Sequence, residues 1–239
     1  MMSTRILSPD ERFIAYYDKL REELNTAYTH YEICKYLREI RSTRRAEFSR
    51  SAYILSLTIN SNLFVTVMSI NRFIDSHRDS LHLDVFFEFI RSNLSLFSAK
   101  AYKKRLLDKG VDSEDCEHWV KLHKDITAEV VEQDKAKVES LSAHKSVQNL
   151  KLWRDKKLAH IEKDVVTKSI DIMKEFPVTI QEIDTIIITL HEILDRYRIA
   201  YDGVQWILGL PPTKPQIEYI MDAISFYRRS YRRTRRGQK

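Results

Sequence analysis

A chain of 239 residues with 43% hydrophobic content can bury one sizeable core. Four glycines and five prolines are too few for the turns of a strand-rich fold, and so little glycine leaves no phosphate-cradling loop, which excludes P-loop and Rossmann-type enzymes. The formal charge of +6 is concentrated: seven of the 40 basic residues and none of the 34 acidic ones fall in "RRSYRRTRRGQK" (228–239), leaving 33 against 34 elsewhere.

In chain order, "SPDERF" offers Ser8 as helix cap, Pro9 at the first helical position and Glu11 to complete a capping box, which predicts a helix running toward residue 47. The "RSTRRAEFSR" run (41–50) reads as a polar junction between helices. From 51 to 75, Ile54, Leu57, Phe64, Met68 and Phe73 predict a largely buried helix that ends in the polar "NRFIDSHRDSLHL". A helix over 84–109 follows, closed by Gly110, and then a long charged helical region over 113–160, with room for an interruption. Pro177 breaks the chain, Thr179 and Glu182 form a second capping box, and Ile180, Ile183, Ile187, Leu190, Leu194, Tyr197 and Tyr201 mark a core stripe. "LGLPPTKP" is the strongest break, and Ile217, Ile220, Met221, Ile224 and Tyr227 mark one more amphipathic helix, carrying the basic tail.

These elements predict an all-α fold: an up-down bundle of four to five long helices over 1–210, with an additional C-terminal helix and basic tail over 211–239. The N-terminus lacks the apolar run of a signal peptide and no segment approaches 18 uncharged apolar residues, so the expectation is a cytoplasmic protein with no membrane partner. Cys34 and Cys116 stand alone, which predicts no disulfide framework. Cys116, His118 and His123 lie close in sequence but diverge on a helix, and no metal and no other cofactor is expected. His191 beside the core stripe reads as a helix-surface residue. The tail arginines Arg228, Arg229, Arg232, Arg233, Arg235 and Arg236 suit a nucleic-acid phosphate backbone, and equally a solubilising end. Tyr227 and Tyr231, set among them, suit base stacking, packing or simple exposure.

The densest cluster of chemistry-bearing residues is "WRDKKLAH", Trp153 to His160. Arginine forks onto phosphate oxygens and is always charged, and histidine exchanges protons near neutral pH, a combination suited to metal-independent RNA cleavage. Asp155 can orient either residue, and Lys156 and Lys157 add attraction for a phosphate backbone. On an ideal α-helix, however, six residues turn the side chain through about 600°, so Arg154 and His160 diverge. A two-fold dimer would bring both copies of the pair to one cleft. From pattern alone a solvated helix face is the better explanation of the stretch.

"RDKKLAH" resembles the Arg-x(4–6)-His motif of the HEPN superfamily (higher eukaryotes and prokaryotes nucleotide-binding). "MSINRFIDSHRDSLHL" (68–83) and "VTIQEIDTIIITLHEILDRY" (178–197) are similar to the blocks flanking that motif in the abortive-infection U-type branch. The resemblance covers about residues 10–205. It implies a helical bundle that dimerises and cleaves RNA without a metal, in anti-phage defence or as a toxin, with an antitoxin or other defence-system partner. By the same resemblance Arg154 and His160 are the catalytic pair, Asp155 is the polar position after the arginine, and Arg72 and Asp75 pack near the motif as supports. Where some members carry a modifiable tyrosine after the motif, this chain has Ile161, so that regulation has no acceptor. A non-catalytic RNA- or nucleotide-binding member of the same fold, and a helical protein-interaction module, remain as alternative readings.

Overall fold

The computed structural model describes residues 6–75, 80–158, 171–209 and 213–236. Among them there is no strand. The chain opens with α1 (Pro9–Thr43), started by the expected capping box: Ser8 Oγ accepts from the Glu11 amide and the Glu11 carboxylate accepts from the Ser8 amide. Its buried residues Phe13, Tyr17, Leu20, Leu24, Ala27, Tyr31 and Cys34 alternate at spacings of four and three, the seam that a long partner helix fills. At Arg44 the backbone leaves helical geometry (φ −120°, ψ 51°), and the short α2 (Arg45–Arg50) turns the corner into α3 (Ala52–Ile74). The expected helix toward residue 47 is therefore two helices. α3 runs back antiparallel along α1: His30 Nδ1 meets Asn62 Oδ1 at 2.7 Å and Arg72 meets Glu23 at 2.7 Å.

α3 is long and apolar enough to pass, by length and composition, as a membrane span, yet 44% of its most apolar window is buried inside the bundle. The face it buries is not the one expected. Leu55, Ile59, Leu63, Val67, Ile70 and Phe73 enter the core, while Ile54 (65% exposed) and Leu57 (54%) face outward and Phe64 is more than a third exposed. With apolar residues on both sides, α3 does not reveal from its own pattern which side meets α1.

The expected helix over 84–109 is also divided, into α4 (Leu83–Ser92), a 3-10 turn (Leu94–Phe97) and α5 (Ala99–Asp108), where Ser98 caps the restart. Phe97 holds the break in the core, edge-on to Phe13 with ring centres 5.1 Å apart. Gly110 does close α5. At φ +81°, its amide donates to Leu107 and that of Val111 to Leu106, a Schellman cap sealed by contact between Val111 and Leu106. The charged region is interrupted as allowed for, giving α6 (Ser113–Leu122), α7 (Ala128–Ala143) and α8 (Lys145–Trp153). After α9 (Ile172–Glu175), the second capping box starts α10 (Ile180–Asp202), whose stripe from Ile183 to Tyr201 is buried as expected. His191, expected at the surface, packs on Trp206 and bonds its carbonyl oxygen at 2.8 Å.

The boundary expected at 210–211 lies outside the described residues. Beyond it, α11 (Thr213–Arg236) returns to the bundle. Fully buried Met221, with Ile217 and Ile224, meets the core, and Arg44 reaches Glu218 (2.8 Å) and Asp222 (2.7 Å). Ile220 and Tyr227, expected on the packing face, are mostly exposed.

Candidate functional site

The end of α8 is pinned on two sides. Asn149 Nδ2 donates to the Pro177 carbonyl and buried Trp153 Nε1 to that of Phe176, both at 2.8 Å, tying α8 to the segment before α10. On the other side, buried Asn71 of α3 donates to the Leu150 carbonyl at 3.4 Å. Sequence reasoning missed Asn71 and Asn149 as parts of the site, and gave Trp153, which opens the cluster, no role. The available signal was an asparagine in the apolar run of α3.

From Arg154 to Leu158 the chain widens into a π-helical turn. Such turns bond i to i+5, so from Arg154 to Leu158 each residue advances by less than the α-helical 100°. The Arg154 side chain is 19% exposed. Its Nε donates to Asp155 Oδ1 and its Nη1 to Asp75 Oδ2, both at 2.6 Å. The Asp155 bond, followed by the charge of Asp75, holds the guanidinium above even its usual pKa, and burial opposes this only in part. Nη2 has no partner among the described residues. The result is an oriented guanidinium with two nitrogens fixed by carboxylates and one that no described residue engages.

Of the other expected residues, Asp75 and Asp155 thus converge on Arg154, whereas Arg72, one turn before Asp75, directs its exposed side chain to Glu23 instead. Lys157 is exposed and Lys156 half-buried. His160 and Ile161 lie outside the described residues. Arg228, Arg229, Arg232, Arg233, Arg235 and Arg236 fall on the backbone of α11. Cys116 is buried against Tyr102 and Leu106, while His123 reaches the Phe97 carbonyl at 3.0 Å. Among the described residues no group of three or more His, Cys, Asp or Glu could hold a metal ion.

The Arg-x(5)-His sequence thus starts at the end of α8 in an all-helical fold, its arginine tied to the end of α3. The family model for the HEPN family AbiU2 matches residues 10–225, and the chain belongs to that family. The match extends into α11, which the resemblance drawn from sequence had left outside. No curated relative and no solved structure matches the chain significantly.

Proposed function

We propose that this protein is a metal-independent endoribonuclease of abortive infection that works in the cytoplasm, as an anti-phage effector or toxin, from a cleft shared by two copies. The observation that carries the reading is the Arg154 guanidinium, oriented by Asp75 and Asp155, at the start of the family's motif. In this mechanism His160 takes the proton from a ribose 2′-OH, the 2′-oxygen bonds to the adjacent phosphorus, and the bond to the 5′-oxygen breaks. The leaving oxygen takes up a proton from the second His160 or from water. Arg154 stabilises the charge that accumulates on the non-bridging oxygens, and Lys156 and Lys157 attract the backbone. The products are a 2′,3′-cyclic phosphate and a 5′-hydroxyl.

Support for a shared cleft comes from α3. At 100° per residue, positions 54, 57, 61, 64, 68, 72 and 75 fall within about 80° of arc. One face therefore begins with exposed Ile54, Leu57 and Phe64 and ends at Arg72 and Asp75. A two-fold contact over that apolar stripe would set two Asp75–Arg154 pairs near the same seam. An antitoxin or other defence partner would restrain the site, and the tail arginines would add sequence-independent phosphate contacts.

The deciding experiment is cleavage of RNA by purified protein in excess EDTA, wild type against His160→Ala, with the 3′ ends analysed. Loss of cleavage in the variant, with cyclic phosphate ends from the wild type, is expected. Cleavage indifferent to His160 rejects the mechanism, and RNA binding without cleavage favours the non-catalytic binding reading.

A further inference from the structure

Three cations of α1 and one at its end are matched to carboxylates: Lys19 to Glu22, Arg21 to Asp18, Lys35 to Glu32, and Arg44 to Glu218 and Asp222. Arg38 and Arg41 of α1 and Arg45 of α2 are clustered and are not so matched. None has a carboxylate within ion-pair distance among the described residues, although Glu39 and Glu47 are close in sequence. All three are exposed and line one cleft of 590 Å³ at the α1–α2–α3 junction, together with the hydroxyl-bearing Ser42, Ser49 and Ser56. Arg38 and Arg41, three residues apart on α1, repel by a few tenths of a kcal/mol, and no carboxylate among the described residues pairs with either.

We infer that this cleft binds the phosphodiester backbone of single-stranded RNA, as an extension of the substrate path; the inference rests on the reading of RNA as substrate. Arg38 and Arg41 lie about one turn apart near the end of α1 and Arg45 opens α2 across the corner, so the cleft offers three cations to about three phosphates of a strand. The floor offers no stacking platform, because Phe48 is buried and the Arg41 guanidinium lies 5.8 Å from its ring centre. The cleft therefore suits backbone rather than base. Duplex recognition by shape spans about 16 base pairs, far more than this cleft. Arg38 also borders an adjoining 170 Å³ hollow lined by Trp153, the residue before Arg154, so the row opens toward the segment that carries the motif.

The test is fluorescence anisotropy with a short labelled single-stranded RNA, 2′-O-methylated throughout so that it binds but offers no 2′-OH. At about 0.7 per phosphate contact, removing three arginines (Arg38→Ala, Arg41→Ala and Arg45→Ala together) should flatten the slope of log Kd against log salt by about 2. Near 0.1 M salt that corresponds to about 100-fold weaker binding. A control losing the same charge elsewhere, Lys104→Ala with Lys121→Ala and Lys145→Ala, should stay within about threefold of wild type, and lysine in place of the three arginines should retain most of the slope. Matched melting curves for the alanine and lysine variants exclude unfolding as the cause. Equal weakening in the alanine variant and the control, no change in the alanine variant, or no binding by the wild type overturns the inference. His160→Ala should bind the probe as wild type does. Loss of cleavage in that variant with unchanged affinity in the arginine variant fails this inference alone, and the opposite pair of results fails the cleavage mechanism alone.

Discussion

Arg154 shows how a charged residue in a helical segment becomes a candidate for chemistry. Its two carboxylate partners are each about half exposed, so water screens both pairs and each contributes on the order of 1 kcal/mol or less to stability. Their consequence is orientation: Nε and Nη1 are fixed and the side chain cannot rotate freely. Asp75→Asn should therefore shift the melting temperature by only a few degrees while lowering kcat for RNA cleavage about tenfold or more, with a smaller effect on KM. Arg154→Lys should fall further, because an ammonium cannot present a fork to a phosphate. Steady-state kinetics beside a thermal melt check both, and unaltered kcat in Asp75→Asn removes its positioning role.

At the scale of elements, α3 has two apolar faces with different uses. One meets the heptad-like seam of α1 and forms the core. The other leaves Tyr53, Ile54, Leu57 and Phe64 uncovered, and burying a leucine or phenylalanine fully is worth about 1.5–3 kcal/mol. Those side chains are the natural driving force for the two-fold contact proposed above. Leu57→Glu with Phe64→Glu should convert a dimer into a folded monomer in sedimentation velocity and lower cleavage to near the level of His160→Ala. A double variant that still sediments as the wild-type dimer places the interface elsewhere. The same duality explains why this helix resembles a membrane span in composition, since a helix apolar on both faces needs a partner on each.

Across the whole molecule, buried and half-buried phenols fasten the long helices to one another. Tyr31 donates to the Ile180 carbonyl at 2.8 Å, Tyr201 donates to Asp10 at 2.7 Å, and Tyr36 bonds Glu218, joining α1 to α10 and α11. Burial pushes Tyr17 up to about 12, and burial with the Glu218 bond pushes Tyr36 to about 12. Burial also raises Tyr31, Tyr197 and Tyr201. A phenol with a raised folded-state pKa keeps its proton where the unfolded chain has lost it. The resulting stability is complete below pH 10 and is lost as pH rises from there toward about 12. Urea unfolding across that range should show a steep fall in midpoint, with tyrosinate absorbance appearing in step with unfolding. Buried phenols that ionise near pH 10 in the folded protein contradict this account.

What the sequence determined by itself was whatever depends on neighbours within about one helical turn. The capping boxes at Ser8–Glu11 and Thr179–Glu182, the Gly110 stop and the stripe from Ile183 to Tyr201 all follow from local geometry, and they suffice for the all-α class. The short run around Arg154 and its likeness to a family were equally legible, because both are linear patterns. The tertiary structure decided which face of α3 is buried, since that is set by the seam of α1. It split the helix over 84–109, where Phe97 sits fully buried in the aromatic core and Ser98 caps the restart. It also separated Arg72 from Asp75: the two are one turn apart, but only Asp75 lies at the helix end that the π turn after α8 brings alongside, so one meets Glu23 and the other Arg154. Pairings between residues 49 and 79 positions apart depend on how helices pack, which no short stretch of sequence encodes.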